Sequence, residues 1–137
     1  MTGQALPLFI YGTLLAGECN RHLLAGSILL ELPASTIGTL YVIEGDGYPY
    51  PALLSGTGVV HGSLITLLSK DYDERLACID LLEDYDATRD TALYLRRTLE
   101  TSTPHGPQPA WAYLWNGSEP TTAALADGNF SRWSQGQ

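Results

Sequence analysis

Basic residues are scarce in this sequence: seven Lys and Arg stand against fifteen Asp and Glu in 137 positions, a formal net charge of −8. Seven scattered cations form no stripe able to neutralise phosphates, and a net negative surface repels nucleic acid and anionic lipid alike, so neither is expected as a partner. Only two cysteines are present, Cys19 and Cys78, with neither a zinc spacing nor a disulfide framework, which fits a reduced, cytoplasmic setting. The three histidines, His22, His61 and His105, share no ligand spacing, so no metal or other cofactor is expected. No apolar run approaches the ~20 residues of a membrane span. Residues 1–4 lack a basic region, and the apolar run behind them is too short for a secretory signal, so a soluble, unprocessed chain is expected. GxSxG, Walker, GxGxxG, HExxH and paired CxxC motifs are all missing.

What is present suffices for one domain, residues 1–137. At this length a folded chain buries roughly 68–70% of the surface its unfolded form exposes, and 45% hydrophobic residues supply the apolar area. Leu6 to Tyr11 reads as a buried strand ending at a turn on Gly12-Thr13, and Asn20 to Gly26 as a short, weakly helical stretch. Thr36 to Ile43 reads as a strand broken by Gly45-Asp46-Gly47. Tyr48-Pro49-Tyr50-Pro51 is extended, because each proline disfavours helix at the residue before it, and Ala52 to Leu54 continues as a short edge-like segment. Val59 to Leu68 is the clearest strand. Ser69 is placed to cap a helix running to about Asp84, with Asp71, Asp73 and Glu74 near its positive end. After a polar break from Asp84 to Asp90, Thr91 to Leu99 and Ala110 to Trp115 predict a hairpin joined by the turn-rich Pro104 to Pro109. One short helix is placed near Thr122 to Ala126. Five or six strands and one principal helix, without regular alternation, indicate an α+β fold: a mixed, largely antiparallel sheet or small barrel.

The helix carries the most information. At 100° per residue, with Leu76 at 0°, Tyr72 falls about 40° and Ile79 about 60° to one side, and Glu83 about 20° away. Glu83 therefore lies on the apolar stripe, and Asp80, about 40° to the other side, is its nearest rival. A carboxylate on such a stripe is costly to ionise, and the raised pKa that results prepares a general acid or base. The alternative is a stripe that runs out into solvent in its last turn. The second feature is Tyr11-Gly12-Thr13-Leu14. Glycine lets the backbone approach a ligand, and successive N–H groups can form an anion-binding nest; the plain reading is a turn. His61 reads as a sheet residue and His105 as a solvated loop residue, while His22 alone lies near a candidate site.

Together these features resemble the γ-glutamylcyclotransferase-like family, including the γ-glutamylamine cyclotransferases. Phe9-Ile10-Tyr11-Gly12-Thr13-Leu14 with Gly17-Glu18 is similar to its opening F-V-Y-G-T-L. Gly38-Thr39-Leu40-Tyr41, Tyr50-Pro51-Ala52-Leu53 and Val60-His61-Gly62 resemble its G-x-L-Y, Y-P-A and V-x-G segments. Ile79-Asp80-Leu81-Leu82-Glu83-Asp84-Tyr85 and Tyr94-Leu95-Arg96 resemble L-D-x-x-E-G-Y and Y-x-R, and Ala110-Trp111-Ala112-Tyr113 and Gly128-Asn129-Phe130 resemble its closing elements. Asp84 departs from the usual glycine and bears on how Glu83 is aimed; Asn129-Phe130 departs from the usual end.

The resemblance implies a small, mainly antiparallel β-barrel with flanking helices. It also implies that Tyr11, Gly12, Thr13 and Leu14 bind a γ-glutamyl substrate and that Glu83 is the catalytic carboxylate. The reaction would be attack of the α-amine on the γ-carbonyl, giving 5-oxoproline and a free amine, with no metal. Backbone N–H groups of residues 12–14 would hold the α-carboxylate or the developing oxyanion, and Tyr94 and Tyr113 would be wall residues or sheet packing. Two other readings keep the fold: a small-ligand-binding or interaction module without turnover, and an amide hydrolase-type accessory domain similar to that of allophanate hydrolases. Eight of the fifteen acids fall between Asp71 and Asp90, so the charge surplus is a local cluster around this one helix.

Overall fold

Leu8, Phe9 and Ile10 show no hydrophobic alternation because both faces of their strand are buried. The computed structural model describes residues 5–44, 49–83, 85, 94–117, 120 and 123–136. Its strands are β1 (Leu8–Ile10), β2 (Ile28–Ile43), β3 (Tyr50–Leu67), β4 (Tyr94–Thr103) and β5 (Gly106–Trp115), with helices α1 (Tyr72–Leu82) and α2 (Phe130–Gln135) and 3₁₀ turns at Arg21–Leu24 and Ser69–Asp71. The strands close into a barrel in the order β1-β3-β2-β4-β5. Every pairing is antiparallel except β1 with β5, which meet in parallel at Leu8 and Trp111. The α+β, mainly antiparallel architecture expected from the sequence is the one formed.

Several boundaries differ for identifiable reasons. The strand expected from Thr36 begins at Ile28; its first half carries no readable pattern because Leu29 and Leu30 are exposed while Pro33 sits inside it. The segments Ala52 to Leu54 and Val59 to Leu68 are one strand, β3, and not an edge, since β1 flanks it on one side and β2 on the other. Residues 55–58 are accommodated by a register shift opposite Gly38, between the pairs Ile37–Val59 and Thr39–Leu54. The weak helix at 20–26 is only the 3₁₀ turn Arg21–Leu24. Ser69 opens a 3₁₀ turn, and Asp71 stands at the cap position of α1, where its side chain accepts from Ser27 Oγ at 3.1 Å and caps no helical N–H.

The predicted hairpin is β4 with β5, paired from Tyr94–Trp115 to Thr103–Gly106, so Pro107 and Pro109 lie inside a strand and the turn is only Pro104-His105. The helix placed near Thr122 to Ala126 is absent from 123–126, and the tail's helix is α2, where Asn129 Oδ1 accepts from the Arg132 N–H at 3.0 Å. Gly128 precedes it at φ +60°, and a Cβ there would lie 1.9 Å from the Val59 carbonyl oxygen. The turn at 45–47, Tyr48, Asp84, residues 86–90 of the polar break, residues 91–93 of the expected strand and Thr122 lie outside the described residues.

Two apolar clusters use the two faces of the barrel wall. Phe9, Leu40, Leu53, Val60, Leu64, Ala110, Ala112 and Phe130 fill the interior. Leu8, Ile10, Leu24, Ile65, Ile79 and Tyr113 pack between the wall and α1, with Trp111 and Trp115 beside them. The period-two aromatics of β5 thus face the helix, as strand alternation requires. Among the described residues no helix is long and apolar enough to cross a membrane.

Phe130 plugs the barrel interior at 1% exposure. Phe130→Ala should lower the unfolding free energy by about 3–5 kcal/mol, the usual range for removing a buried aromatic, in urea melts followed by fluorescence.

Candidate functional site

From β1 the chain enters a loop whose residues 11–15 are all buried. Gly12 is dictated by contact: a Cβ there would lie 2.1 Å from Pro51 Cγ, so β3 presses on the loop where only glycine fits. The loop is pinned by its carbonyls and one hydroxyl. Leu15 N–H donates to Gly12 O at 3.0 Å, Asn20 N–H to Thr13 O at 2.9 Å, and Asn20 Nδ2 to Thr13 Oγ1 at 3.0 Å. The N–H groups of Gly12, Thr13 and Leu14 donate to no backbone carbonyl among the described residues. Buried backbone donors require acceptors, so this loop is chemically a donor surface.

The loop forms one wall of a narrow cleft with about 470 Å³ of empty space, part of it open to solvent. Tyr50 and Pro51 from β3, Tyr94 from β4, Tyr113 from β5, and Leu82 and Glu83 from the end of α1 supply the rest. Glu83 reaches it because Ile79, one turn earlier, is fully buried against the barrel wall and fixes the helix face. The Glu83 N–H still bonds Ile79 O at 2.9 Å, which holds its side chain on that face. Burial pushes its carboxyl up to about 7. Among the described residues no hydrogen bond or ion pair reaches that carboxylate.

Asp80, one turn earlier, has partners. Its Oδ1 accepts from the Tyr113 hydroxyl at 2.5 Å. Arg96 Nε lies 3.1 Å from the same oxygen, an ion-pair contact that is not aligned as a hydrogen bond. The Arg96 guanidinium stacks over Trp111 at 4.6 Å and Tyr85 at 5.4 Å. Burial raises the Asp80 pKa, while Tyr113 and Arg96 oppose the shift. The Tyr113 pKa is raised by burial first, then by its bond to Asp80 and by the Asp80 and Glu83 charges, against Arg96. Tyr11 donates its hydroxyl proton to the Tyr113 carbonyl, and Tyr94 donates to the Pro51 carbonyl. Burial, followed by the Glu83 charge, raises the Tyr11 pKa as well.

A clamp fixes the helix relative to the loop. Arg75 Nε donates to Ser27 Oγ at 2.8 Å and Nη1 to the Leu23 carbonyl at 3.2 Å, tying α1 to the segment that follows the loop. The structure therefore brings Tyr11, Gly12, Thr13, Leu14 and Glu83 to one cleft, with Tyr94 and Tyr113 as walls. His22, His61 and His105 are exposed and line none of it. Among the described residues no group of three or more His, Cys, Asp or Glu side chains could hold a metal. Tyr50 and the Asp80–Arg96 contact did not emerge from periodicity. Arg96 lies two residues from Tyr94 and so on the same face of β4, and a cation on an aromatic strand face is the signal that could have found the latter.

The chain matches the family described as γ-glutamyl cyclotransferase, AIG2-like, over residues 8–134. It is 33% identical over 129 residues to the γ-L-glutamyl-butirosin B γ-glutamyl cyclotransferase of Niallia circulans, covering 93% of this chain and 75% of that protein. Two solved structures share the fold. YkqA of Bacillus subtilis matches at a TM-score of 0.70 and 21% identity over 98% of this chain, which spans 44% of that one. An AIG2-like protein of Mus musculus matches at 0.66 and 17% identity, over 93% of this chain and 89% of that one.

Glu83 also makes stability depend on pH. Unfolded, the carboxyl titrates near 4.5, whereas in the fold it holds its proton to about 7. Between these values the folded state binds more protons, so stability is fully present below the lower one and falls as pH rises toward the upper. The loss is at most roughly 3 kcal/mol, from about 1.4 kcal/mol per unit. Urea melts at pH 4.5 and 7.5 should show this loss in the wild type, with Glu83→Gln reducing the difference by the same amount.

Proposed function

The chain belongs to the γ-glutamyl cyclotransferase, AIG2-like family, and on that premise we propose that it releases 5-oxoproline and a free amine from a γ-glutamyl amide, with Glu83 as general acid and base. The observation that carries the reading is a carboxyl with a pKa near 7, without a protein partner among the described residues, in one narrow cleft with the buried N–H groups of residues 12–14. Group transfer proceeds without an external nucleophile. The α-ammonium gives a proton to the Glu83 carboxylate, and the neutral amine nitrogen attacks the γ-carbonyl carbon, closing a five-membered ring. The intermediate carries an oxyanion and a ring nitrogen with one proton too many. Glu83 passes its first proton to the leaving nitrogen and takes this surplus one. The oxyanion collapses, the bond to the leaving nitrogen breaks, and the freed amine takes the second proton from Glu83 and departs as its ammonium form. A group titrating near 7 suits both halves, since it is basic enough to accept and acidic enough to donate at neutral pH. The N–H groups of Gly12, Thr13 and Leu14 hold the α-carboxylate or the oxyanion, Tyr11 lines the same cleft, and the cleft limits the substrate to folded-back conformers.

As written, the reaction needs no metal. The Niallia circulans protein is named for a γ-glutamyl group on butirosin B; for this chain we propose γ-glutamyl amides as the class. Two exposed free thiols, Cys19 and Cys78, suit the reducing cytoplasm we expect as its location.

The test is 5-oxoproline release from a panel of γ-glutamyl amines, peptides and L-glutamine. Wild-type protein should turn over at least one of them, and Glu83→Gln should lower kcat by roughly 10²–10⁴-fold while thermal melts show the fold retained. Wild-type turnover in Glu83→Gln would remove the mechanism. Stabilisation by 5-oxoproline without turnover of any panel member would favour a binding module instead.

A further inference from the structure

The polar groups of the cleft fall into two chemical sets. On one side are the N–H groups of residues 12–14, which can only donate. On the other are three tyrosine hydroxyls whose single protons are already committed: Tyr11 to the Tyr113 carbonyl, Tyr94 to the Pro51 carbonyl, and Tyr113 to the Asp80 carboxylate. A phenol has one proton, so toward a ligand these oxygens can only accept, as can ionised Glu83. A cleft lined by both donors and acceptors suits a head group that carries an anion and a cation on the same carbon. Of the three hydroxyls, Tyr113 is the one hydrogen-bonded to an acid, with Asp80 placing negative charge directly behind its oxygen.

We infer that Tyr113 Oη receives the substrate's α-ammonium and that Asp80 is a positioning residue that strengthens this acceptor from behind. The inference rests on the reading above that the cleft takes γ-glutamyl compounds. It gives Arg96 a task as well. Stacked on Trp111 and Tyr85, the guanidinium keeps a positive charge beside Asp80 and favours its ionised form. That charge opposes the upward push of burial on the Asp80 carboxyl, and the Tyr113 hydroxyl uses Asp80 as its acceptor. Tyr113 and Glu83 share the cleft, so an ammonium held on Tyr113 Oη loses its proton to Glu83 and keeps one N–H on the phenol, which aims the freed lone pair. The specificity that follows is for a free α-amine: α-N-acylated and desamino compounds lose this contact.

Calorimetry separates this from packing. In the Glu83→Gln protein, which removes turnover, L-glutamine and glutaric acid monoamide differ only in the α-amine. Adding Tyr113→Phe should weaken L-glutamine binding roughly 10- to 100-fold, as expected for a hydrogen bond to a charged group, and leave the monoamide unchanged. Asp80→Asn, which can still accept from Tyr113, should act in the same direction by a smaller factor. With Glu83 intact, the same variants should raise KM for L-glutamine or another turned-over amide more than they lower kcat. If both ligands weaken equally, or KM does not move, Tyr113 only packs and the inference is overturned while the cyclotransferase reading stands. If wild type releases no 5-oxoproline from any panel member, the reading itself falls, and the inference with it.

Discussion

Closure of the barrel by a strand of three residues is the constraint on which the rest of the structure depends. β1 is bonded to β3 on one side and meets β5 on the other at a single parallel pair, reinforced by the Trp111 N–H bonding the Pro7 carbonyl at 2.9 Å. Such a short element holds only because it is buried on both faces. Phe9 points into the barrel, while Leu8 and Ile10 lie under the outer apolar cluster. Closure removes the open edges that a sheet of this length would otherwise present. It also decides where the chain goes next: leaving β1 inside the packed wall, the loop must pass against Pro51, and its N–H groups end up buried. The bond from Tyr11 to the Tyr113 carbonyl crosses the same seam, so the cleft has its walls only when the barrel is closed.

Two carboxylates one helical turn apart then meet different surroundings. Asp80 faces Tyr113 and Arg96 and is partnered; Glu83 lies at the helix end over the cleft and has no such partner among the described residues. Burial acts on both, but among the described residues only Asp80 has a cation and a hydroxyl that favour its charged form. Spacing by one turn made them rivals on the helical wheel, and the difference between them is written in β4 and β5.

Much of this was legible in the sequence, where a pattern was local. The 3.6-residue period placed Glu83 with Ile79, and alternation placed Trp111, Tyr113 and Trp115 on one face of β5. The ordered motifs pointed to the loop at Tyr11 and to the family. What failed was whatever depends on partners far along the chain. The start of β2 at Ile28 is fixed by pairing with Leu67, not by its own exposed leucines. The continuity of β3 through 55–58 depends on a shift opposite Gly38. The fate of Asp80 depends on Arg96, and α2 on the Asn129 cap and on Phe130 entering the barrel. None of these leaves a period in a window of ten residues.

The committed hydroxyl protons of Tyr11, Tyr94 and Tyr113 have a consequence for the entropy of binding. A phenol O–H in an unfilled pocket is normally a free rotor, and a ligand that needs it as an acceptor must wait for it to turn away and then hold it there. In this cleft the three rotors are locked by the fold itself, on two main-chain carbonyls and one carboxylate. Their orientation is fixed during folding and is the same before and after a ligand arrives. The accepting wall is therefore preorganised in its protons as well as in its heavy atoms, so ligand binding loses little hydroxyl entropy there and the dipoles need no reorientation as charge moves during a reaction.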